Sequence, residues 1–214
     1  EIINNKGIIT FSLIVILYLS YYLVHLFYLV PLLPFDNDTL HKISWVLSNE
    51  SIISSDHHSM RWGSYLPIKF LSFFTKISFF KLAFLSFIFL FFAGFIYLYI
   101  AHTFFGFLYS LVFLIFWVTS KSINLDLFAL SVNTHSLLAL SLLVLYLLKV
   151  QQDNKFTLLN SFILSVIIFY IYGIKETNIF FFPLLIFLKA YRDNYKFLLS
   201  SIIFLIIFYF IESC

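Results

Sequence analysis

Residues 31–67, PLLPFDNDTLHKISWVLSNESIISSDHHSMRWGSYLP, are the only long polar stretch of the chain. It holds four of the ten acidic residues, Asp36, Asp38, Glu50 and Asp56, and three of the six histidines, His41, His57 and His58, with Arg61 near its end. Carboxylates and imidazoles can carry protons or ligate metals, and a guanidinium can grip an anion through two parallel hydrogen bonds. His41, His57, His58 and Asp56 could bind a divalent cation, but their spacing is not diagnostic and no cofactor is indicated. Adjacent histidines point to different sides of a regular element, so His57-His58 reads equally as a solvated loop pair. A loop this long without regular structure is uncommon unless it carries function.

Part of the stretch reads as helix. Leu40, Ile43 and Leu47 fall on one face behind Asp38 as N-cap, and Trp45 suits a membrane interface. That pattern predicts a short amphipathic helix lying on the outer leaflet. It also supplies the plain alternative for Asp36 or Asp38, an exposed helix cap. The sequons at Asn37 and Asn49 are no more than this composition produces by chance.

Around the polar stretch the chain is strongly apolar. Hydrophobic residues make up 62% and charged residues 11% of it, and the mean hydropathy is +1.01. Soluble domains run at about 45–50% and 25%. A chain with 31 Phe and so few charges cannot cover a soluble globule, which leaves an all-α integral membrane protein. Disorder and a disulfide scaffold are excluded as well, since Cys214 is the one cysteine. The net charge of +3 comes from 13 scattered Lys and Arg, with no basic run to suggest nucleic acid.

A helix needs about 20 mostly apolar residues to cross the hydrocarbon core. Residues 7–30, 79–101, 107–119, 134–150, 156–174, 178–188 and 197–211 fit, and predict a polytopic bundle of about seven transmembrane helices with a long outer first loop. The sixth is short and contains Pro183. With the N-terminus cytoplasmic, the inner connections hold Lys149, Lys155, Lys189, Arg192 and Lys196, against Lys121 and Lys175 outside. That favours residues 31–67 on the periplasmic, extracellular or luminal face, although Lys69, Lys76 and Lys81 then lie near that face too. The chain opens on Glu1 and stops just after an apolar run, so residues 1–214 read as one transmembrane domain of a longer protein, incomplete at both ends.

Four local strings, in order, resemble the GT-C superfamily, the polytopic glycosyltransferases that use polyprenyl-phosphate sugars, among them the protein mannosyltransferases and the aminoarabinose transferases of lipid A. Asp36-Asn37-Asp38-x-x-His41 is similar to the acidic motif that opens the first outer loop. His58-x-x-Arg61-Trp62-Gly63-x-x-x-Pro67 is similar to the stretch leading into the second membrane segment. Tyr99-x-x-His102-x-x-Phe105-Gly106 looks like the short inner turn after the next span, and Tyr172-Gly173-Ile174-Lys175-Glu176-Thr177 like a later outer turn. Together they cover residues 30–190, the N-terminal part of such an enzyme. Asn37 separates two acids that the family more often has adjacent, which leaves open which one acts.

The resemblance implies inverting transfer of a sugar from a lipid phosphate to an acceptor hydroxyl or amine. Asp36 or Asp38 would take the acceptor proton, and Arg61, with His57, His58 and Lys175, would hold the departing phosphate. Its implied partners are a lipid-linked sugar donor, membrane lipids and an acceptor that is a lipid, a glycan or a protein of the cell envelope. Against these roles stand plainer ones. Arg61 can anchor a helix at the headgroups, and Lys175 can pair with Glu176 at a span boundary. Two other functions compete: a transporter or flippase, and a non-catalytic scaffold subunit. Transporters place their sites near the bilayer midplane at broken helices, whereas here the middles of the spans are nearly free of ionisable groups, Pro183 is the main interruption, and no internal repeat is evident.

Overall fold

The computed structural model describes residues 5–28, 62–76, 78–120, 132–175, 191 and 193–213. Among them all regular structure is helical: α1 (Asn5–Tyr28), α2 (Trp62–Phe74), α3 (Phe79–Ile100), a π-helical turn (Ala101–Phe105), α4 (Phe107–Thr119), α5 (Val132–Gln152), α6 (Leu158–Ile174) and α7 (Tyr195–Ser213). Helices satisfy every backbone N–H and C=O within the segment, which apolar surroundings demand. Gly7–Phe27, Lys81–Phe105 and Asn133–Gln152, with 21, 25 and 20 residues, are long and apolar enough to cross a membrane. Phe107–Thr119, Leu158–Ile174 and Tyr195–Ile211 are apolar but shorter. At a rise of about 1.5 Å per residue, the 13 residues of α4 reach only about 20 Å. The expected span at 178–188 and the amphipathic helix around residues 40–47 lie outside the described residues. α2 is an addition: its first residues belong to the stretch expected as loop, and Pro67 stands inside it.

The chain divides into two compact units, Glu1–Ser44 with Lys76–Ser141, and Trp45–Thr75 with Leu142–Cys214. In the first, α1 and α3 run antiparallel, as the ring pairs Phe11–Tyr99, Tyr18–Phe91 and Tyr22–Phe87 show. α4 returns along α3, with Phe113 beside Tyr97 and Trp117 against Gly94. Gly106, at φ +92°, makes the reversal between α3 and α4. The core gathers Ile14, Tyr18, Tyr22, Phe87, Leu90 and Trp117. Its polar atoms are paired: the Tyr18 hydroxyl donates to Phe91 O (2.6 Å) and Trp117 Nε1–H to the Tyr22 hydroxyl (3.1 Å). An unpaired hydroxyl or indole N–H there would cost about 1–3 kcal/mol. Gly94 makes room for this arrangement. A Cβ on it would meet the Tyr18 hydroxyl and lie 2.6 Å from Trp117 Cε2.

In the second unit α5 and α6 form a hairpin. Asn154 adopts φ 52°, Lys155 N–H donates to Val150 O (3.0 Å) and Asn154 N–H to Gln151 O (3.2 Å), the paired bonds of a Schellman stop. Thr157 then caps α6 by accepting from Asn160 N–H (3.3 Å). α6 and α7 lie side by side and run in the same direction, since Ser161 meets Phe197 and Ser201 while Phe169 meets Phe208. Their contact is built on small hydroxyls. Ser161 Oγ and Ser201 Oγ are 2.9 Å apart, and Ser165 Oγ donates to Ser161 O (2.8 Å) and Ser201 O (2.9 Å). All three serines are fully buried. Small side chains let helix backbones approach, and hydroxyls that donate across the contact hold them there.

Candidate functional site

Of the residues singled out by the sequence, Asp36, Asp38, His57, His58 and Arg61 lie outside the described residues, as do His41, Asp56 and Glu176. Lys175 is described. It follows the last turn of α6 in an extended conformation, φ −156° and ψ 118°, and its N–H donates to Ile171 O (3.2 Å). Its side chain is half-buried, and among the described residues the one ion pair is Lys155–Asp153, on the turn between α5 and α6. Lys175 thus brings a positive charge to the end of an apolar helix, where an anion facing it would be favourable.

What stands against this end of α6 is the first turn of α2. A Cβ on Gly63 would lie 2.8 Å from each of three backbone atoms, Tyr170 O, Gly173 C and Ile174 N. Only a residue without a side chain fits there, and Gly173 keeps the facing surface bare as well. Ser64, Tyr65 and Ile68 of α2 and Ile171 and Ile174 of α6 are buried. Two of the four strings, the one containing Gly63 and the one containing Gly173 and Lys175, thus meet backbone to backbone. Arg61 precedes Gly63 by two residues in the sequence and Lys175 follows Ile174 directly.

The third string forms the expected short turn. His102 sits in the π-helical turn with its ring 4.7 Å from that of Phe11, and its Nδ1 is 3.5 Å from Ser110 Oγ, whose own proton goes to Phe107 O (2.7 Å). With its proton on Phe107 O, Ser110 Oγ faces His102 as an acceptor.

Sequence reasoning passed over two features. Thr134, His135 and Ser136 in the first turn of α5 are all buried, with the His135 ring edge-on to Phe89 at 5.2 Å. A histidine inside a predicted membrane helix was the available signal. Tyr191 is buried against Phe156 and Phe197, and its hydroxyl donates to Leu147 O (2.5 Å). Burial, with the Tyr146 phenol as a second cause, pushes the Tyr191 phenol well above its ordinary range, so it stays a neutral donor. Among the described residues no group of three or more His, Cys, Asp or Glu could hold a metal ion.

No family model, curated protein or solved structure matches the chain.

Proposed function

We propose that this chain is the N-terminal part of a multi-pass membrane glycosyltransferase of the GT-C type, moving a sugar from a polyprenyl-phosphate carrier to an acceptor at the outer or luminal face. Asp36 or Asp38 takes the proton of the acceptor hydroxyl or amine as that atom attacks the anomeric carbon. The bond from that carbon to the phosphate oxygen breaks on the opposite side, with inversion, and the phosphate leaves with its charge held by Arg61, Lys175, His57 and His58. The observation that carries this reading is the junction of Gly63 with Gly173 and Ile174. It joins two stretches that lie far apart in the sequence and that the donor-phosphate site would both need. A half-buried Lys175 outside any ion pair of the described residues supports an anionic ligand there. The parallel course of α6 and α7 supports a further crossing between them, where residues 178–188 were expected to span.

A transport reading draws on α4. This helix of 13 residues ends, at Trp117 to Thr119, beside Gly94, near the middle of the Lys81–Phe105 span, and His135 is buried against Phe89 of the same helix. A helix that stops at mid-depth is a common transporter device. Among the described side chains at that level His135 stands with the phenols of Tyr18 and Tyr22, none of them a carboxylate or an ammonium, and the polar stretch of the chain lies elsewhere, which favours the transferase.

The experiment is Asp36→Asn and Asp38→Asn in the full-length protein, assayed for transfer from a polyprenyl-phosphate sugar at matched expression. One substitution should lower the rate by about 10²–10⁴-fold, the contribution of a general base. Full activity in both and in the double variant rules the proposal out.

A further inference from the structure

At one end of the second unit three rings hold three helices together. Tyr191 and Phe197, both buried, have centroids 5.9 Å apart, and the ring of Phe156 stands edge-on to each, at 5.3 and 5.5 Å. The Tyr191 hydroxyl donates to Leu147 O, which ties the cluster to α5. Around this small core α5 ends and α6 and α7 begin.

The chain neighbours of the cluster carry charge. Lys155 precedes Phe156, Lys196 precedes Phe197, and Lys149 follows Leu147 by two residues. All three lysines are exposed. Residues 149–155 and 189–196 together hold five Lys or Arg against two acids, Asp153 and Asp193. Asp153 pairs with Lys155 at 2.9 Å, and both acids are exposed. Two helices start here and one stops, so the backbone dipoles add to the positive sign.

The same end is apolar where it is not basic. Leu158 and Leu159, in the first turn of α6, are 66% and 67% exposed, and Tyr195, which opens α7, is 65% exposed. Leucines and a tyrosine beside lysines, at the ends of two apolar helices, match the layer where acyl chains give way to headgroups. An acidic soluble partner would answer the lysines but leave the leucines facing polar surface.

We infer that this end of the second unit binds anionic phospholipids of the leaflet it meets. Lys149, Lys155 and Lys196 hold the headgroup phosphates, and Leu158, Leu159 and Tyr195 lie against the upper acyl chains. Each lysine acts as a point charge on a flexible stem, so affinity follows the charge count and falls with salt. The occupant is bilayer phospholipid rather than the sugar carrier, and the inference stands apart from the transferase reading.

The test titrates the full protein in detergent with phosphatidylglycerol and, separately, with phosphatidylcholine, and counts bound lipid by native mass spectrometry. Phosphatidylglycerol should bind about fivefold tighter or more. Lys149→Gln and Lys196→Gln should each weaken phosphatidylglycerol about fivefold and leave phosphatidylcholine unchanged. Asp153→Asn, which releases Lys155 from its ion pair, should tighten phosphatidylglycerol by up to about fivefold, a gain that no loss of fold produces. Leu158→Ser together with Leu159→Ser should weaken both lipids alike. Equal affinity for the two lipids, or phosphatidylglycerol indifferent to both lysine variants and to Asp153→Asn, overturns the proposal. So does phosphatidylglycerol binding unchanged by the double leucine variant, the mark of an ionic surface made for an acidic protein. Polyprenyl phosphate that displaces most of the phosphatidylglycerol at equal concentration overturns it too, by making the carrier the occupant. Circular dichroism of each variant separates loss of lipid from loss of fold.

Discussion

In the first unit α1, α3 and α4 meet through large rings, with Tyr18, Tyr22, Phe87 and Trp117 filling the space that Gly94 leaves. In the second unit α6 meets α7 through Ser161, Ser165 and Ser201, and meets α2 through the bare backbones at Gly63 and Gly173. Without a strong hydrophobic drive between helices in lipid, both solutions rely on packing and on hydroxyls that find carbonyls. They differ in what yields under strain. Rings can turn, whereas backbone pressed on backbone cannot.

Gly63→Ala breaks that difference hardest. Its Cβ would meet three backbone atoms at 2.8 Å, so we expect a loss of about 3 kcal/mol in unfolding measurements in detergent, with no single side-chain substitution restoring it. Gly94→Ala presses on side chains instead, and should cost about 1–3 kcal/mol. Adding Tyr18→Phe should recover part of that loss, because the hydroxyl is among the atoms in the way. A failure of rescue there, or rescue of Gly63→Ala by trimming a neighbour, would erase the contrast. Next comes the serine contact, where a double-mutant cycle of Ser161→Ala and Ser201→Ala should give a coupling of about 0.6 kcal/mol.

The smallest effect is one of pH. Tyr191 holds its proton more tightly in the folded protein than in the unfolded chain. Its contribution is therefore complete below its ordinary value of 10.0 and is lost as pH rises above it. Thermal unfolding followed from neutral to strongly alkaline pH should show a decline that Tyr191→Phe flattens. That substitution costs about 1 kcal/mol at neutral pH through the lost bond to Leu147 O.

Much of this arrangement was legible in the residues. Hydropathy located α4 at its observed ends, and located α1, α3, α5, α6 and α7 to within about two residues at most described ends, because long apolar runs leave the backbone few alternatives. α5 extends to Gln152 since Asn154 can adopt the left-handed conformation that stops it, a detail hydropathy does not carry. α2 escaped notice for a physical reason. Gly63, Ser64 and Pro67 read as loop, and its apolar stripe, Leu66, Phe70, Phe73 and Phe74, is exposed, so no core pattern announced it. For the site, the strings containing Gly63 and Gly173 were visible one at a time, but that they touch depends on how α2 and α6 pack, which neither string encodes.

The meeting of Gly63 with the end of α6 also fixes a register. A Cβ at that position would stand 2.8 Å from Tyr170 O, Gly173 C and Ile174 N, so a residue with a side chain cannot take its place. A slip of α2 by one residue against α6 would put Trp62 or Ser64 at that spot, and either one carries a Cβ.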